Sequence, residues 1–293
     1  MKKILTILLV LACAISMLSI ATADAGPFKD IPDDAWYAKS VVNCYDNGII
    51  SGTSATTFTP DKAITRAEFA AMFARAYCYA YNYADALYMQ DLDGTTDAEV
   101  LEYAENATKK AFEDGIYSVD GSHYESVKHF TDVPKDAWYT PYVICMVDAG
   151  LMNGTSETTF GPNSLITREQ IAAILQRWSE GSGMEKAYAN AKADKDHTLE
   201  YVAKECGYTT FSKEVVINTD TLKNFKDMDS ISAYAKDGVA WAYQSGIMQG
   251  VADGVFSPKT NTTRAQAATI FDRIWNDMLV SSAVNTWFAY ELD

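Results

Sequence analysis

The sequence predicts a mainly α-helical protein, built from three helix–loop–helix repeats with mostly helical inserts between them. One block of residues recurs three times at fixed spacing, each copy carries the same helix-start signature, and a 48% hydrophobic, 12% aromatic composition supports a packed core rather than disorder. The first copy runs from Phe28-Lys29-Asp30 through Trp36-Tyr37, Gly48-Ile49-Ile50-Ser51-Gly52 and Phe58-Thr59-Pro60 to Ile64-Thr65-Arg66-Ala67-Glu68. The second runs from Phe130-Thr131-Asp132 through Trp138-Tyr139, Gly150-Leu151-Met152-Asn153-Gly154 and Phe160-Gly161-Pro162 to Ile166-Thr167-Arg168-Glu169-Gln170. The third runs from Phe225-Lys226-Asp227 through Tyr234, Gly246-Ile247-Met248-Gln249-Gly250 and Phe256-Ser257-Pro258 to Thr262-Thr263-Arg264-Ala265-Gln266. From the second Gly to the Arg is 14 positions in every copy. So short a unit cannot bury its own apolar face, so the copies are expected to pack on one another. The chain divides into a leader (1–25), repeat 1 (26–78), insert 1 (79–128), repeat 2 (129–178), insert 2 (179–223), repeat 3 (224–276) and a tail (277–293).

The leader carries Lys2-Lys3, an uncharged stretch from Ile4 to Ala23, and small-x-small sites at Ala21-Thr22-Ala23 and Ala23-Asp24-Ala25, the pattern of a secretory signal peptide. The stretch is also long enough to span a bilayer if it is retained. Val10-Leu11-Ala12-Cys13 is a poor lipidation box, because apolar sequence continues past the cysteine. Four cysteines follow the leader (Cys44, Cys78, Cys145 and Cys206), which permits two disulfides, but the helical apolar setting of Cys44 and Cys145 favours buried thiols.

In each repeat the first helix ends at a glycine (Gly48, Gly150, Gly246), and Thr140-Pro141 resembles an N-cap with proline at the first helical position. The polar loop that follows ends at Phe-x-Pro, where proline blocks helix continuation and Phe58, Phe160 or Phe256 is expected to plug the loop onto the core. The second helix opens on an S/T-x-x-E/Q capping box: Thr65 with Glu68, Thr167 with Gln170, Thr263 with Gln266. Phe69, Met72 and Phe73, and their counterparts Ile171, Ile174, Leu175 and Ala267, Ile270, Phe271, supply an apolar face at helical spacing.

Insert 1 opens on a tyrosine-rich stretch (Tyr77 to Tyr88), whose expected role is helix packing with carbohydrate binding as the alternative, and continues in a helix over Asp97–Asp114 capped by Thr96 and Glu99. Insert 2 opens on the hinge-like Glu180-Gly181-Ser182-Gly183, then predicts one helix over Met184–Cys206 and a short strand at Glu214-Val215-Val216-Ile217. The tail, with Leu279, Val280, Trp287 and Phe288, is apolar enough to pack back on the body.

The formal charge is −15, and cleavage after Ala23 would remove Lys2 and Lys3 and leave 22 basic against 39 acidic side chains, −17. Such a surface repels nucleic acid and anionic membranes in general, so an anionic ligand must be captured in a local pocket. Screening over about 8 Å lets one pocket act against the global field. Arg66, Arg168 and Arg264 each stand at the first position of a capped helix, where the dipole disfavours a cation. An anion is one reason for this, because helix-start N–H groups and a guanidinium fork would converge on it. Pairing with an internal carboxylate is the other. At an effective dielectric of 20, a carboxylate 4 Å from such an Arg gains on the order of 4 kcal/mol before desolvation.

The pattern Phe-x-Asp, Trp-Tyr, Gly-Ile-Ile-x-Gly, Phe-x-Pro, Ile-Thr-Arg-Ala-Glu resembles the S-layer homology (SLH) domain, over about 28–77, 130–178 and 225–275. The resemblance implies a pseudo-threefold, spindle-like helical bundle with grooves between neighbouring repeats. It also implies that the grooves bind secondary cell-wall polysaccharide, often through a pyruvate ketal on N-acetylmannosamine. Carried over by motif, the ligand contacts are Arg66, Arg168 and Arg264, with Gly52, Gly154 and Gly250 at the loop openings. Thr65, Thr167 and Thr263 adjoin them at the helix starts. Trp36, Trp138 and Tyr234 have two readings, stacking on sugar or filling the core, of which filling is the commoner fate of such a side chain. Weak sites on one polymer would gain about 100- to 10,000-fold by linkage. The third copy departs from the pattern: Thr262 replaces Ile, and it lacks the Trp and the Pro after Phe-x-Asp.

The expected function is therefore non-covalent attachment to the bacterial cell wall, with the protein exported to the cell surface and lacking a membrane span once the leader is cleaved. Two alternatives stay open: a self-assembling surface-layer protein, and an envelope linker that grips modified peptidoglycan. No enzyme is expected, because HExxH, GxSxG and phosphate-cradling glycine loops are missing from the sequence. No cofactor or metal is expected: His123, His129 and His197 lack ligand spacing, and the calcium-loop hint at Asp91-Leu92-Asp93-Gly94 fails at Met89 and Val100.

Overall fold

The computed structural model describes residues 26–93, 96–115, 117–118, 121–194 and 196–291, with the backbone alone at 89–93, 97, 122 and 291. The expected leader, 1–25, lies outside the described residues.

Each repeat contributes a short helix, a loop and a second helix. The short helices are α1 (Ala38–Asp46), α4 (Thr140–Asp148) and α8 (Lys236–Gln244), and the second helices are α2 (Arg66–Asp93), α5 (Arg168–Gly181) and α9 (Arg264–Glu291). The glycines after the short helices take positive φ (67°, 68° and 77° at Gly48, Gly150 and Gly246), a conformation that L side chains resist. Thr140 is not an N-cap: it is the first helical residue, after Tyr139, and its hydroxyl donates to Pro134 O at 2.7 Å.

The helices do not pair within a repeat. The second helix of one repeat packs on the short helix of the next: α2 on α4, α5 on α8, and α9 on α1, which closes a ring. At its centre Phe69, Phe73, Trp178 and Phe271 meet with centroid separations of 5.8 to 6.2 Å, so all three second helices share one aromatic core. Burying rings of this size dominates core energetics.

The segments before the second helices lie side by side on the axis. Ile64 N donates to Thr262 O (2.9 Å), Thr262 N to Ile166 O (2.9 Å), and Ile166 N to Ile64 O (3.2 Å), a closed cycle of three hydrogen bonds. All three side chains are fully buried, and the Thr262 hydroxyl there finds no hydrogen-bond partner among the described residues.

The inserts extend this body. α2 and α9 are each 28 residues long and run without a break past the ends expected for repeats 1 and 3 at 78 and 276. Insert 1 adds α3 (Asp97–Glu113), which opens on the predicted Thr96–Glu99 capping box and packs on α2. Insert 2 does not form one helix. It gives α6 (Met184–Ala193) and α7 (Leu199–Glu205), because Asp194 accepts the Asp196 N–H (2.7 Å) in a turn and Thr198 caps a new start. Nor is 214–217 a strand. Its backbone is held by side chains instead: Val215 N donates to Glu185 Oε1 (3.0 Å), and Gln244 Nε2 to Val216 O (3.1 Å). The tail does pack back, with Val280, Val284 and Phe288 forming a second apolar cluster with Met184, Leu199 and Val202. Cys44, Cys78 and Cys145 are buried thiols, and Cys78 and Cys145 face each other at Sγ–Sγ 3.7 Å across the α2–α4 seam. No described helix is long and apolar enough to cross a membrane.

Candidate functional site

The three arginines are buried at the repeat junctions, 4 to 6% exposed. Each guanidinium crosses to the next repeat. Arg66 donates from Nε to Phe160 O (3.0 Å) and from Nη2 to Asn153 O (2.6 Å). Arg168 does the same to Phe256 O (2.9 Å) and Gln249 O (2.6 Å). Arg264 closes the ring on Phe58 O (2.6 Å) and Ser51 O (2.5 Å). Each cation also lies over the ring of the same phenylalanine, 4.4 to 4.8 Å from its centroid.

The loop that receives the arginine is fixed by the Phe-x-Asp motif. Asp30 accepts from Phe58 N (2.8 Å) and Thr59 N (2.7 Å); Asp132 accepts from Phe160 N and Gly161 N, and Asp227 from Phe256 N and Ser257 N, at 2.7 to 3.0 Å. One phenylalanine is thus gripped at N–H by its own repeat's aspartate and at C=O by the previous repeat's arginine. Burial works to raise the Asp30 pKa, but the two N–H groups outweigh it and hold the carboxyl below the ordinary range. The residue after the phenylalanine is left-handed in every copy (Thr59 φ 55°, Gly161 φ 73°, Ser257 φ 57°).

The helix-start N–H groups expected to hold an anion are occupied. Arg66 N donates to Ser164 O and Ala67 N to Pro162 O; Arg168 N and Glu169 N use Thr260 O and Pro258 O; Arg264 N and Ala265 N use Lys62 O and Pro60 O, all at 2.8 to 3.0 Å. The third N–H goes to the capping threonine in the first and third copies: Glu68 N to Thr65 Oγ1 (3.1 Å) and Gln266 N to Thr263 Oγ1 (3.3 Å). The Thr167 N–H is held by Gln170 Oε1 at 3.0 Å. The helix starts therefore knit repeats together, and their N–H groups are not available to an anion.

The internal carboxylate partner weighed above is also missing: among the described residues, no Asp or Glu lies within salt-bridge distance of Arg66, Arg168 or Arg264. Nη1 of each makes no hydrogen bond to a described group. Burial lowers all three pKa values, that of Arg168 to about 10, against the weaker attraction of carboxylates beyond salt-bridge distance: Asp132 for Arg66, Asp227 for Arg168, and Glu68 with Asp30 for Arg264.

Trp36 (67% exposed), Trp138 (57%) and Tyr234 (62%) do not fill the core but stand on the surface at equivalent places, two residues before each short helix. Gly52, Gly154 and Gly250 are explained by packing. A Cβ would meet Phe28 Cε1 or Phe130 Cε1 at 2.5 Å in the first two, and Val255 O at 2.8 Å in the third. The repeat 2–3 junction differs from its siblings because Glu169 stands where they have Ala67 and Ala265. It accepts from Lys259 Nζ (2.5 Å), Ser232 N and Ser232 Oγ (2.9 Å each). The receiving carbonyls of Ser51, Asn153 and Gln249 escaped sequence reasoning; the constant Gly-to-Arg interval was their trace, but it does not tell which repeat's loop each arginine enters.

The model of the S-layer homology domain matches residues 27–70, 129–172 and 224–268. The chain is 26% identical over 94% of its length to an endoglucanase of Bacillus sp. (strain KSM-635), of which it spans 22%. It is 29% identical over 83% of its length to an amylopullulanase of Thermoanaerobacterium thermosulfurigenes, spanning 9% of that protein. It is 25% identical over 69% of its length to the surface-layer 125 kDa protein of Lysinibacillus sphaericus, spanning 14%. The chain thus spans less than a quarter of the length of each of these curated relatives. Triplicate motif, cyclic helix exchange and the matched segments agree: the chain belongs to the S-layer homology domain family and carries three copies of the domain.

Proposed function

We propose that the chain anchors to the bacterial cell surface by holding an anionic, pyruvylated secondary cell-wall polysaccharide at the repeat junctions. The observation that carries this reading is the guanidinium at each junction, with Nε and Nη2 committed to carbonyls, no described hydrogen bond at Nη1 and no described carboxylate within salt-bridge distance. A sugar-borne carboxylate would supply a close partner charge through a charge-assisted hydrogen bond. Trp36, Trp138 and Tyr234 add an exposed aromatic to each repeat, and an aromatic face suits the C–H face of a pyranose. The relatives support surface attachment: one is a surface-layer protein, and two are enzymes whose aligned portions are small fractions of their chains.

The test is co-sedimentation of the protein with purified wall sacculi, before and after the polysaccharide is stripped. Binding should vanish on stripping. Because Trp36 and Trp138 are exposed, the double Trp36→Ala, Trp138→Ala variant should fold normally and lose about tenfold or more in affinity, a change of about 1.4 kcal/mol. Full retention on stripped peptidoglycan would favour the envelope-linker reading, and ordered sheets formed without wall would favour the lattice reading.

A further inference from the structure

Far from the arginine junctions, the inserts and the tail build a cavity of about 950 Å³ between the C-terminal halves of α2 and α9 and helix α6. That size is at the upper end of the roughly 300–1,000 Å³ of small-molecule sites. The tyrosine-rich stretch feeds it by splitting into two faces. Tyr79 packs inward on Tyr83 and Trp275 (6.1 and 5.7 Å), while Tyr77 and Tyr81 turn to the cavity. Tyr290 comes from the tail; Tyr88 stacks on it at 4.7 Å, and its hydroxyl donates to Asp85 Oδ1 at 3.1 Å. The Tyr81 and Tyr290 rings are half exposed and frame the opening.

The wall is polar and fixed. Asn190 Nδ2 donates to Asn285 Oδ1 (3.0 Å), and Asn285 Nδ2 donates to Ser182 O (2.9 Å), a ladder that leaves the side-chain Oδ1 of Asn190 without a described partner. Thr286 lines the same wall at 7% exposure, and its hydroxyl bonds to no described group without being an enclosed atom, so it addresses the cavity. The lining carries one cation against two carboxylates, a net charge of −1. Lys186 faces Asp194 and Asp196, and Asp194 is already engaged by His197 Nδ1 at 2.8 Å.

We propose that this cavity is a second carbohydrate site, taking an uncharged oligosaccharide. Aromatic rings at the mouth offer faces to the C–H surfaces of sugar rings, while amides and hydroxyls on the wall exchange hydrogen bonds with sugar hydroxyls. The slightly negative lining gives no attraction to an anionic polymer, so the ligand differs in class from that of the arginine junctions. The site is independent of the anchoring proposal, and every lining residue lies outside the three matched segments, although α2 and α9 begin inside them.

The experiment titrates the full protein with cellotetraose, chitotetraose and maltotetraose, reading tyrosine side-chain resonances and binding heat. At least one should saturate the protein at millimolar concentration. Thr286→Val removes the hydroxyl at constant shape and should weaken binding up to about tenfold, the worth of one hydrogen bond. Tyr81→Ala, at an exposed position, should weaken it as well, and serves if Thr286→Val lowers the melting midpoint. The Trp36→Ala, Trp138→Ala variant should bind these sugars unchanged. Failure of all three sugars to saturate, or binding indifferent to both Thr286→Val and Tyr81→Ala, overturns the proposal.

Discussion

At Thr262 the third repeat puts a hydroxyl where its siblings put Ile64 and Ile166, on the axis and fully buried. Its backbone joins the hydrogen-bonded cycle, but its Oγ1 has no partner among the described residues, and an unmade buried hydrogen bond costs about 1–3 kcal/mol. Thr262→Val keeps the shape and removes the orphan. It should raise stability by about 1 kcal/mol and the thermal midpoint by a few degrees, as read by calorimetry. A lower midpoint would mean that the hydroxyl has a bonded partner in solution, such as a trapped water. The carboxylates give a second expectation. Glu68 and Glu169 are pushed up by burial but held below their ordinary 4.5 by hydrogen bonds and lysine partners, and Asp30 lies below its ordinary 3.8. A depressed native pKa contributes stability that is present above the ordinary value and lost as pH falls through the native one. Asp277 and Glu185, raised by burial, act in the opposite sense. With three depressed carboxylates against two raised ones, and Glu169 joining repeats 2 and 3, the denaturant midpoint should be lower at pH 3 than at pH 7, and an equal or higher acid midpoint would show that the raised pair dominates.

At the scale of elements, the junction is one repeated assembly: aspartate on loop N–H groups, arginine on the loop carbonyls, and helix-start N–H groups on the carbonyls after Phe-x-Pro. Arg168→Ala should cost about 3 kcal/mol, since it deletes two charge-assisted hydrogen bonds and a cation–π contact from a buried place. Arg168→Lys should recover only part, because an ammonium cannot span two carbonyls as a planar fork does. Chemical denaturation of both variants reads this, and equal stability of Arg168→Lys and wild type would show that charge alone suffices. It also means that an arginine-to-alanine loss of wall binding mixes ligand contact with fold, which is why the exposed tryptophans are the cleaner probe. Much of each repeat was legible in the sequence. Capping boxes, glycine terminators and the Phe plugs are local devices, readable within a few residues. What the sequence hid is non-local. Arg66 and Arg264 reach carbonyls 87 and 213 positions away, and nothing in one sequence says that the loop belongs to the next repeat rather than its own. The break in insert 2 escaped because Asp194 and Thr198 compete with a periodicity that still looks helical. The tryptophans escaped because helical spacing does not separate a core ring from one reserved for the surface.

For the whole molecule, the decisive feature is closure. In an open solenoid each repeat touches only its neighbours, and end repeats need caps. Here repeat 3 returns to repeat 1 through α9 on α1 and Arg264 on Ser51 and Phe58, so no repeat is terminal. Removing one member breaks two junctions at once. A chain ending at residue 223 would leave Arg168 without Phe256 O and Gln249 O, Ile64 N without Thr262 O, and α1 without α9. It would also lose Phe271, which touches both Phe69 and Phe73 in the shared core. Stability that is not divisible among repeats should appear as a single unfolding transition for the three-repeat body, with far- and near-ultraviolet circular dichroism changing together. The chain ending at 223 should show no cooperative melt and no fixed aromatic signal, and in consequence no wall binding at all rather than two-thirds of it. If that fragment instead melts sharply and still co-sediments with sacculi, each junction stands alone, and the three domains are beads on a string whose closure is incidental to anchoring.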